Sequence, residues 1–230
     1  MRLEQATVLS TPSLPTVAHL NTVFLRGAPD AADLEALVEA HHAGLPTRRV
    51  VVEDEASSER LVAELLPRGW AVHRLVLLAR EGAEPPPEAR ALAEEVPYGQ
   101  VRGLREEWLR AQPWASGDDV LAEGLAGDDR LFAGTPTRAF ATFERGRPLA
   151  YALLLDGGRD GMLEDVYTTP EARGRGLSTS VIAAVLHAAR AERHDAVFVP
   201  TDAEEGAGAL YERLGFAPLA VQHHFTRRAD

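Results

Sequence analysis

The 230-residue chain contains no cysteine and no lysine, and each absence removes a whole chemistry. Without cysteine there is no disulfide, no thiolate metal site and no cysteine nucleophile. Without lysine there is no Schiff base and no phosphate-clamping P-loop lysine. All 24 basic residues are arginine, which reads as genome composition rather than function. Positive charge is also in deficit: 35 acidic residues leave a formal net charge of -11. That balance argues against nucleic-acid binding and suits a cationic or neutral small partner. No apolar run reaches the ~18 residues of a membrane span, and MRLEQATVLS has neither a signal core nor a cleavage pattern. A cytoplasmic protein with no membrane partner is the expectation.

What is present suffices for one large or two small cores, since 45% of residues are hydrophobic. From Asp30 as N-cap, Leu34, Leu37 and Val38 mark a helix that stops at Gly44, followed by a buried strand RRVVVEDE. SSERLVAELLPRGW then reads as a helix ending at Gly69 and Trp70, before a strand AVHRLVLLA. GAEPPPEA is the one proline-rich break, and a domain boundary is placed there. The division is residues 1–81, a linker at 82–95, and 96–230.

Beyond the break, YGQVRGLREEWLRAQPW reads as a strand end running into a helix. SGDDVLAEGLAGDD reads as a short helix capped by Ser116 or Asp118. Two strands joined by a tight Arg-Gly turn follow, then GMLEDVYTT, a helix LSTSVIAAVLHAARAE, a strand AVFVP, a helix AGALYERLGF and a last strand LAVQHHFTR. The stretches starting at VVVEDE and VFVPTD match in element order and in their closing Gly-aromatic pair, a faint internal repeat.

PEARGRGLS, between a strand and a helix, has the makings of an anion site. Gly174 and Gly176 leave the backbone N–H groups accessible, with the positive end of the helix dipole behind them. A Walker loop is excluded by the missing lysine. A dinucleotide fingerprint is weakened by Thr179 at the third glycine position, with Asp202 as its remaining support.

TTPEARGRGLS and, later, ALYERLGF resemble two motifs of the GNAT superfamily of N-acetyltransferases: the acetyl-CoA loop Arg/Gln-x-x-Gly-x-Gly/Ala and the closing LYxxxGF. The resemblance covers residues 96–230 well and residues 1–80 weakly. It implies an α/β (α+β) GNAT fold, with a mixed central sheet flanked by helices and a second, smaller, degenerate GNAT-like N-terminal domain that binds no CoA. It also implies acetyl-CoA as co-substrate, no metal, and a small-molecule or peptide amine acceptor, in a monomer or homodimer.

Carried onto this sequence, the resemblance assigns the CoA loop to Arg173, Gly174, Arg175, Gly176, Leu177, Ser178 and Thr179. Ser178 stands where the family has Gly or Ala. Backbone contacts to the acetyl and pantetheine groups fall on Val166, Tyr167 and Thr168. The family's pantetheine-holding asparagine is missing from TDAEEGAGA, where Asp202 or Glu204 would substitute.

The implied reaction needs a proton acceptor, because an alkyl amine of pKa ~10 is mostly protonated at neutral pH. Glu164 is the first candidate and Asp165 the second. Strand alternation sends one to each face. Tyr211 matches the family's general acid for the departing thiolate. Trp108, Glu106 and Glu107 are candidates to border the acceptor, although packing is the plainer role for this segment.

The adjacent pairs His41/His42 and His223/His224 point apart on any regular element and suggest no metal. A non-catalytic acyl-CoA-binding module stays open as an alternative, on Ser178, the missing asparagine, and Val199 at a position where other family members carry a Glu.

Overall fold

The structure, a computed structural model, describes the chain except residues 2, 4, 28, 83–91, 116, 204–206 and 230. The first segment contains β1 (Ala6–Val8), a 3-10 turn (Ala18–Leu20), β2 (Val23–Leu25), α1 (Ala31–His42), β3 (Thr47–Val52), α2 (Glu55–Leu65) and β4 (Ala71–Glu81). The second contains β5 (Glu94–Val96), α3 (Arg102–Arg110), α4 (Asp118–Gly134), β6 (Thr137–Glu144), β7 (Arg147–Asp156), β8 (Gly161–Thr168), α5 (Leu177–Ala191), β9 (Ala196–Asp202), α6 (Gly208–Arg213) and β10 (Ala217–Arg228).

Local signals account for many boundaries. Asp30 caps α1 by accepting from the Asp33 amide, and Asp54 caps α2 through Ser57. Arg145 and Gly146 both take positive φ, 51° and 80°, the geometry that a tight hairpin between β6 and β7 requires. Three expectations need correction. Asp118 is the first residue of α4 rather than its cap. Gly117, at φ 112°, breaks the chain just before it, and the helix is 17 residues long rather than short. Residues 94–95, assigned to the linker, belong to β5, which pairs with Ala139–Ala141. The strand end expected at Tyr98 is a 3-10 turn, Tyr98–Gln100. Ser116 and the proline run lie outside the described residues.

The ten strands of the described residues form one mixed sheet in the order β1-β2-β3-β10-β4-β9-β8-β7-β6-β5. The two segments interleave: β4, from the first, lies between β9 and β10 of the second and is antiparallel to both. Among the described residues, β2/β3 and β8/β9 are the parallel pairs, and each is bridged by a helix, α1 or α5. One face of the sheet carries two apolar cores. Leu34, Leu61, Leu65 and Trp70 pack on Val50, Val52 and Phe225, and Ile182, Val185 and Leu186 pack on Ala152, Leu154 and Val197. Val72 and Leu78, on the same face of β4, join one core each.

The opposite face is covered over β6–β8 by α3, with Val101 and Leu104 against Ala139, Tyr151 and Leu153. The 3-10 turn near residue 18 braces α4: Thr16 donates from its amide and hydroxyl to Glu123, and Val17 and Leu20 abut Gly127. Among the described residues, no helix is long and apolar enough to cross a membrane.

Candidate active site

The parallel ladder between β8 and β9 holds only two residue pairs, Gly161 with Val197 and Met162 with Phe198. Past Met162 the strands diverge, and a hollow of about 340 Å³ opens between them. Glu164, Asp165, Val166 and Tyr167 line it from β8, and Val199 and Asp202 from β9. Arg105 and Trp108 contribute from α3, and Tyr211 from α6. A second hollow of about 270 Å³ adjoins it, lined by Thr168, Arg173, Gly174, Gly176, Leu177, Ser178 and Thr179, with Leu210 and Arg213 opposite.

The glycine loop is built as an anion cradle needs. Gly174 and Gly176 sit at φ 74° and 77°, a region costly for residues with a Cβ, and Gly176 is the N-cap of the 15-residue α5. The first intrahelical donor is the Ser180 amide, bonded to the Gly176 carbonyl at 3.1 Å. The amides of residues 177–179 therefore present themselves at the dipole's positive end. Ser178 Oγ lies 2.9 Å from Thr168 Oγ1, so this serine ties the helix start to the end of β8. Arg173 leans on the Thr168 carbonyl at 3.4 Å and lines the hollow. Arg175 does not line it: its guanidinium pairs with Glu144 at 2.7 Å on the surface. An anion is the kind of group that these amides and Arg173 suit.

Expected alternation fails at the two carboxylates. Tyr151 pairs with Tyr167 and Leu153 with Glu164, so Asp165 and Val166 together oppose Ala152. The extra residue is a β-bulge with Asp165 at φ 53°. Glu164, directly across from Leu153, looks to the α3 face, and the bulge turns Asp165 to that face as well. There Asp165 accepts from Arg105 Nη1 at 2.9 Å and from the Tyr151 hydroxyl at 3.4 Å. Arg105 also grips both oxygens of Asp128, at 2.8 and 3.2 Å. Asp165 is thus held in an ion-pair network, whereas among the described residues no ion pair holds Glu164, which lines the same hollow.

Burial raises the Glu164 pKa to about 7, with the neighbouring Asp165 charge adding to it and Arg105 opposing. Burial likewise pushes Tyr211 up to about 12, assisted by Glu164, so its hydroxyl keeps its proton at neutral pH. Tyr167, up to about 12 through burial and then Glu107, donates to Glu107 at 2.9 Å. Glu106 is turned to Arg110 on the helix surface. Trp114 packs edge-on to Trp108, whereas Trp70 is core. Asp202 is joined to His73 of β4 at 3.1 Å, and Glu204 lies outside the described residues. Among the described residues, no group of three His, Cys, Asp or Glu could hold a metal.

Residues 101–216 match the family described as Acetyltransferase (GNAT) family, just over half of the chain. The chain belongs to the GNAT acetyltransferase family. Membership and fold together support acetyl-transfer activity, and the family generally uses acetyl-CoA.

Solved structures agree on the fold of the GNAT chain. A functionally unknown conserved protein from Staphylococcus epidermidis ATCC 12228 superposes with TM-score 0.80 at 14% identity, covering 100% of this chain and 93% of that one. A GCN5-related N-acetyltransferase from Kribbella flavida gives 0.64 at 19%, covering 94% and 84%. A tandem GNAT protein from the clavulanic acid biosynthesis pathway gives 0.58 at 15%, covering 91% and 75%. Curated proteins give no match to this chain.

Arg105 and Asp128, which fix Asp165, were not legible as site residues, because nothing in sequence links α3, α4 and the bulge. Arg213 and His73 were missed for the same reason: each reaches the site from an element whose placement only the sheet order reveals.

Proposed function

We propose that the chain is an acetyl-CoA-dependent N-acetyltransferase that acylates a primary amine of a small molecule or peptide, with Glu164 as general base and Tyr211 as general acid. The observation that carries this is their shared hollow: a carboxylate of pKa about 7 and a protonated phenol both line the opening between β8 and β9.

Acetyl-CoA supplies the activated acyl group. The amides of residues 174–179 and Arg173 hold its pyrophosphate, and the diverging edges of β8 and β9 receive the pantetheine arm, with Asp202 at the rim. Glu164 takes a proton from the ammonium, directly or through water, and the neutral nitrogen attacks the thioester carbonyl. A carboxylate poised near pH 7 suits that exchange. The C–N bond forms, a backbone N–H of residues 166–168 stabilises the oxyanion, and the C–S bond breaks. Tyr211 gives its proton to the departing sulfur and regains one from the acylated nitrogen, which becomes the neutral amide. The products are an acetamide and CoA.

Within this reading, the first segment is a degenerate GNAT-like half that completes the sheet and binds no CoA, and the protein works in the cytoplasm as a monomer or homodimer. Calorimetry with acetyl-CoA, combined with a thiol-release assay across an amine panel, tests it. Binding together with turnover on at least one amine supports the reading. Binding without turnover on any would instead make the chain a CoA-binding module.

A further inference from the structure

On the face that carries Glu164, the sheet continues past β9 across β4, β10 and β3, and its side chains there form a polar path. Register puts His73, His224 and Arg49 on one face, since His224 pairs with His73 and with Val51, two residues from Arg49. Asp202 of the hollow contacts His73 at 3.1 Å, the rings of His73 and His224 are 6.4 Å apart, and Arg49 Nη2 meets His224 Nδ1 at 2.9 Å.

Arg49 is a half-buried cation, and among the described residues no carboxylate pairs with it. Its neighbours differ. Arg48, facing the other way, has Glu39 and two carbonyls, and Arg227 has Glu35. A partly desolvated guanidinium whose described partner is an imidazole nitrogen has unused donors and an unmet need for negative charge. His19, from the 3-10 turn, reaches solvent yet is held below its usual pKa by surrounding protein and then by Arg49. The charges of Asp128 and Arg105 also act on this ring, which places His19 between Arg49 and the α3 side of the catalytic hollow.

We propose that Arg49, flanked by His224 and His73, is the anion-binding end of the acceptor site, so that the acceptor is an amine carrying a carboxylate well away from its nitrogen. This rests on the acetyl-transfer reading above. The path is polarised to match: Glu164 and Asp202 lie at the amine end, where Arg105 is taken up by Asp165 and Asp128, and Arg49 lies at the other. Four strand steps of ~4.8 Å separate β3 from β8, and register sets Arg49, level with Ala71, about six residues along the strands from Glu164, level with Leu77, so the two backbones are ~28 Å apart. Arg49 reaching to His224 and Glu164 leaning into the opening shorten the gap to roughly 15–20 Å. At ~3.3–3.6 Å per residue, that is the length of a peptide of about four to six residues, amine at one end and carboxylate at the other.

The test compares tetra-alanine with its C-terminal amide, in wild type and in Arg49→Gln, by thiol release and by calorimetry with CoA present. The expected result is a preference for the free acid of about tenfold or more in kcat/KM, expressed mainly in KM, that Arg49→Gln erases. Acetyl-CoA affinity should not change. Arg49→Lys, which keeps the charge, retains part of the preference and covers the case in which the glutamine variant does not fold. Acid and amide acetylated equally well by wild type would overturn the anion site while leaving acetyl transfer standing. Arg49-dependent binding of tetra-alanine without turnover would uphold the anion site and remove the acetyl-transfer reading. Absence of both binding and discrimination would overturn the inference.

Discussion

Arg105 donates to Asp165 at 2.9 Å while gripping both oxygens of Asp128, so one guanidinium on α3 holds the bulge of β8 in place. Glu164, next to Asp165, lines the same hollow without an ion pair among the described residues, and as the proposed base it has a chemical consequence. Glu164→Gln should lower kcat by about 10²- to 10⁴-fold with acetyl-CoA affinity unchanged. In wild type, kcat/KM should rise with pH through about 7, and that limb should vanish in the variant. Pre-steady-state and steady-state pH profiles on a working amine check both.

The same raised pKa sets the direction of a stability effect. Glu164 binds its proton more tightly folded than unfolded, so its contribution is full below pH 4.5 and is lost as pH rises through 7. Glu164→Gln should therefore unfold at higher denaturant than wild type at pH 8, by about 1–2 kcal/mol, and the gain should disappear near pH 4. Equal midpoints at both values would mean that Glu164 is not desolvated in the folded protein.

Asp165→Asn tests the bulge without breaking it, because asparagine tolerates the left-handed backbone that φ 53° imposes. Removing its charge takes away one of the two causes that raise Glu164, so the activity limb should move to lower pH. Asp165→Ala adds backbone strain of about 1–2 kcal/mol and should lower the melting temperature further than the asparagine variant does.

Tyr211→Phe leaves the edge-on packing against Phe216 intact, at 5.8 Å between ring centres, and removes only the hydroxyl. Turnover should fall by about 10²-fold or more while calorimetric CoA affinity stays within a few-fold. An unchanged rate would take Tyr211 out of the mechanism.

Gly176→Ala separates conformation from crowding in the loop. A Cβ there meets nothing within 4 Å, so the cost comes from φ 77° alone, about 1–2 kcal/mol. Relaxing that strain would turn the first amides of α5 away from their common focus. CoA affinity should drop about tenfold or more, with kcat at saturating acetyl-CoA little changed.

Much of this was readable in advance because its signals are local. The loop, both glycines, Ser178 and Tyr211 sit inside contiguous motifs, and the Asp30 cap lies within a few residues of the helix it serves. The bulge at Asp165 was not readable, since alternation is the default for a strand and only the pairing of Tyr151 with Tyr167 and of Leu153 with Glu164 exposes the extra residue. The three-residue strands β1, β2 and β5 are too short for periodicity to register. A boundary drawn through the proline run was a compositional inference, and composition carries no information about which strand pairs with which.

That boundary leads to a test of how the two segments depend on each other. A fragment of residues 96–230 keeps every catalytic candidate yet loses β4, which pairs with β9 from Ala196 to Asp202 and with β10 over most of its length. It also loses Arg80, whose guanidinium donates to the Leu214 carbonyl at the end of α6, the helix that carries Tyr211. Two facing strand edges, with Leu78 removed from the core beside Val199, would stand open to water and to each other's copies. The fragment should accumulate as aggregate or molten species and release no thiol. Supplying residues 1–82 as a separate chain should restore soluble material and activity together, because pairing of β4 with both neighbours is what the fragment lacks. A fragment that is monomeric, cooperatively folded and active without its partner would mean that β9 and β10 can close on each other, and that β4 is an addition to the catalytic half rather than part of it.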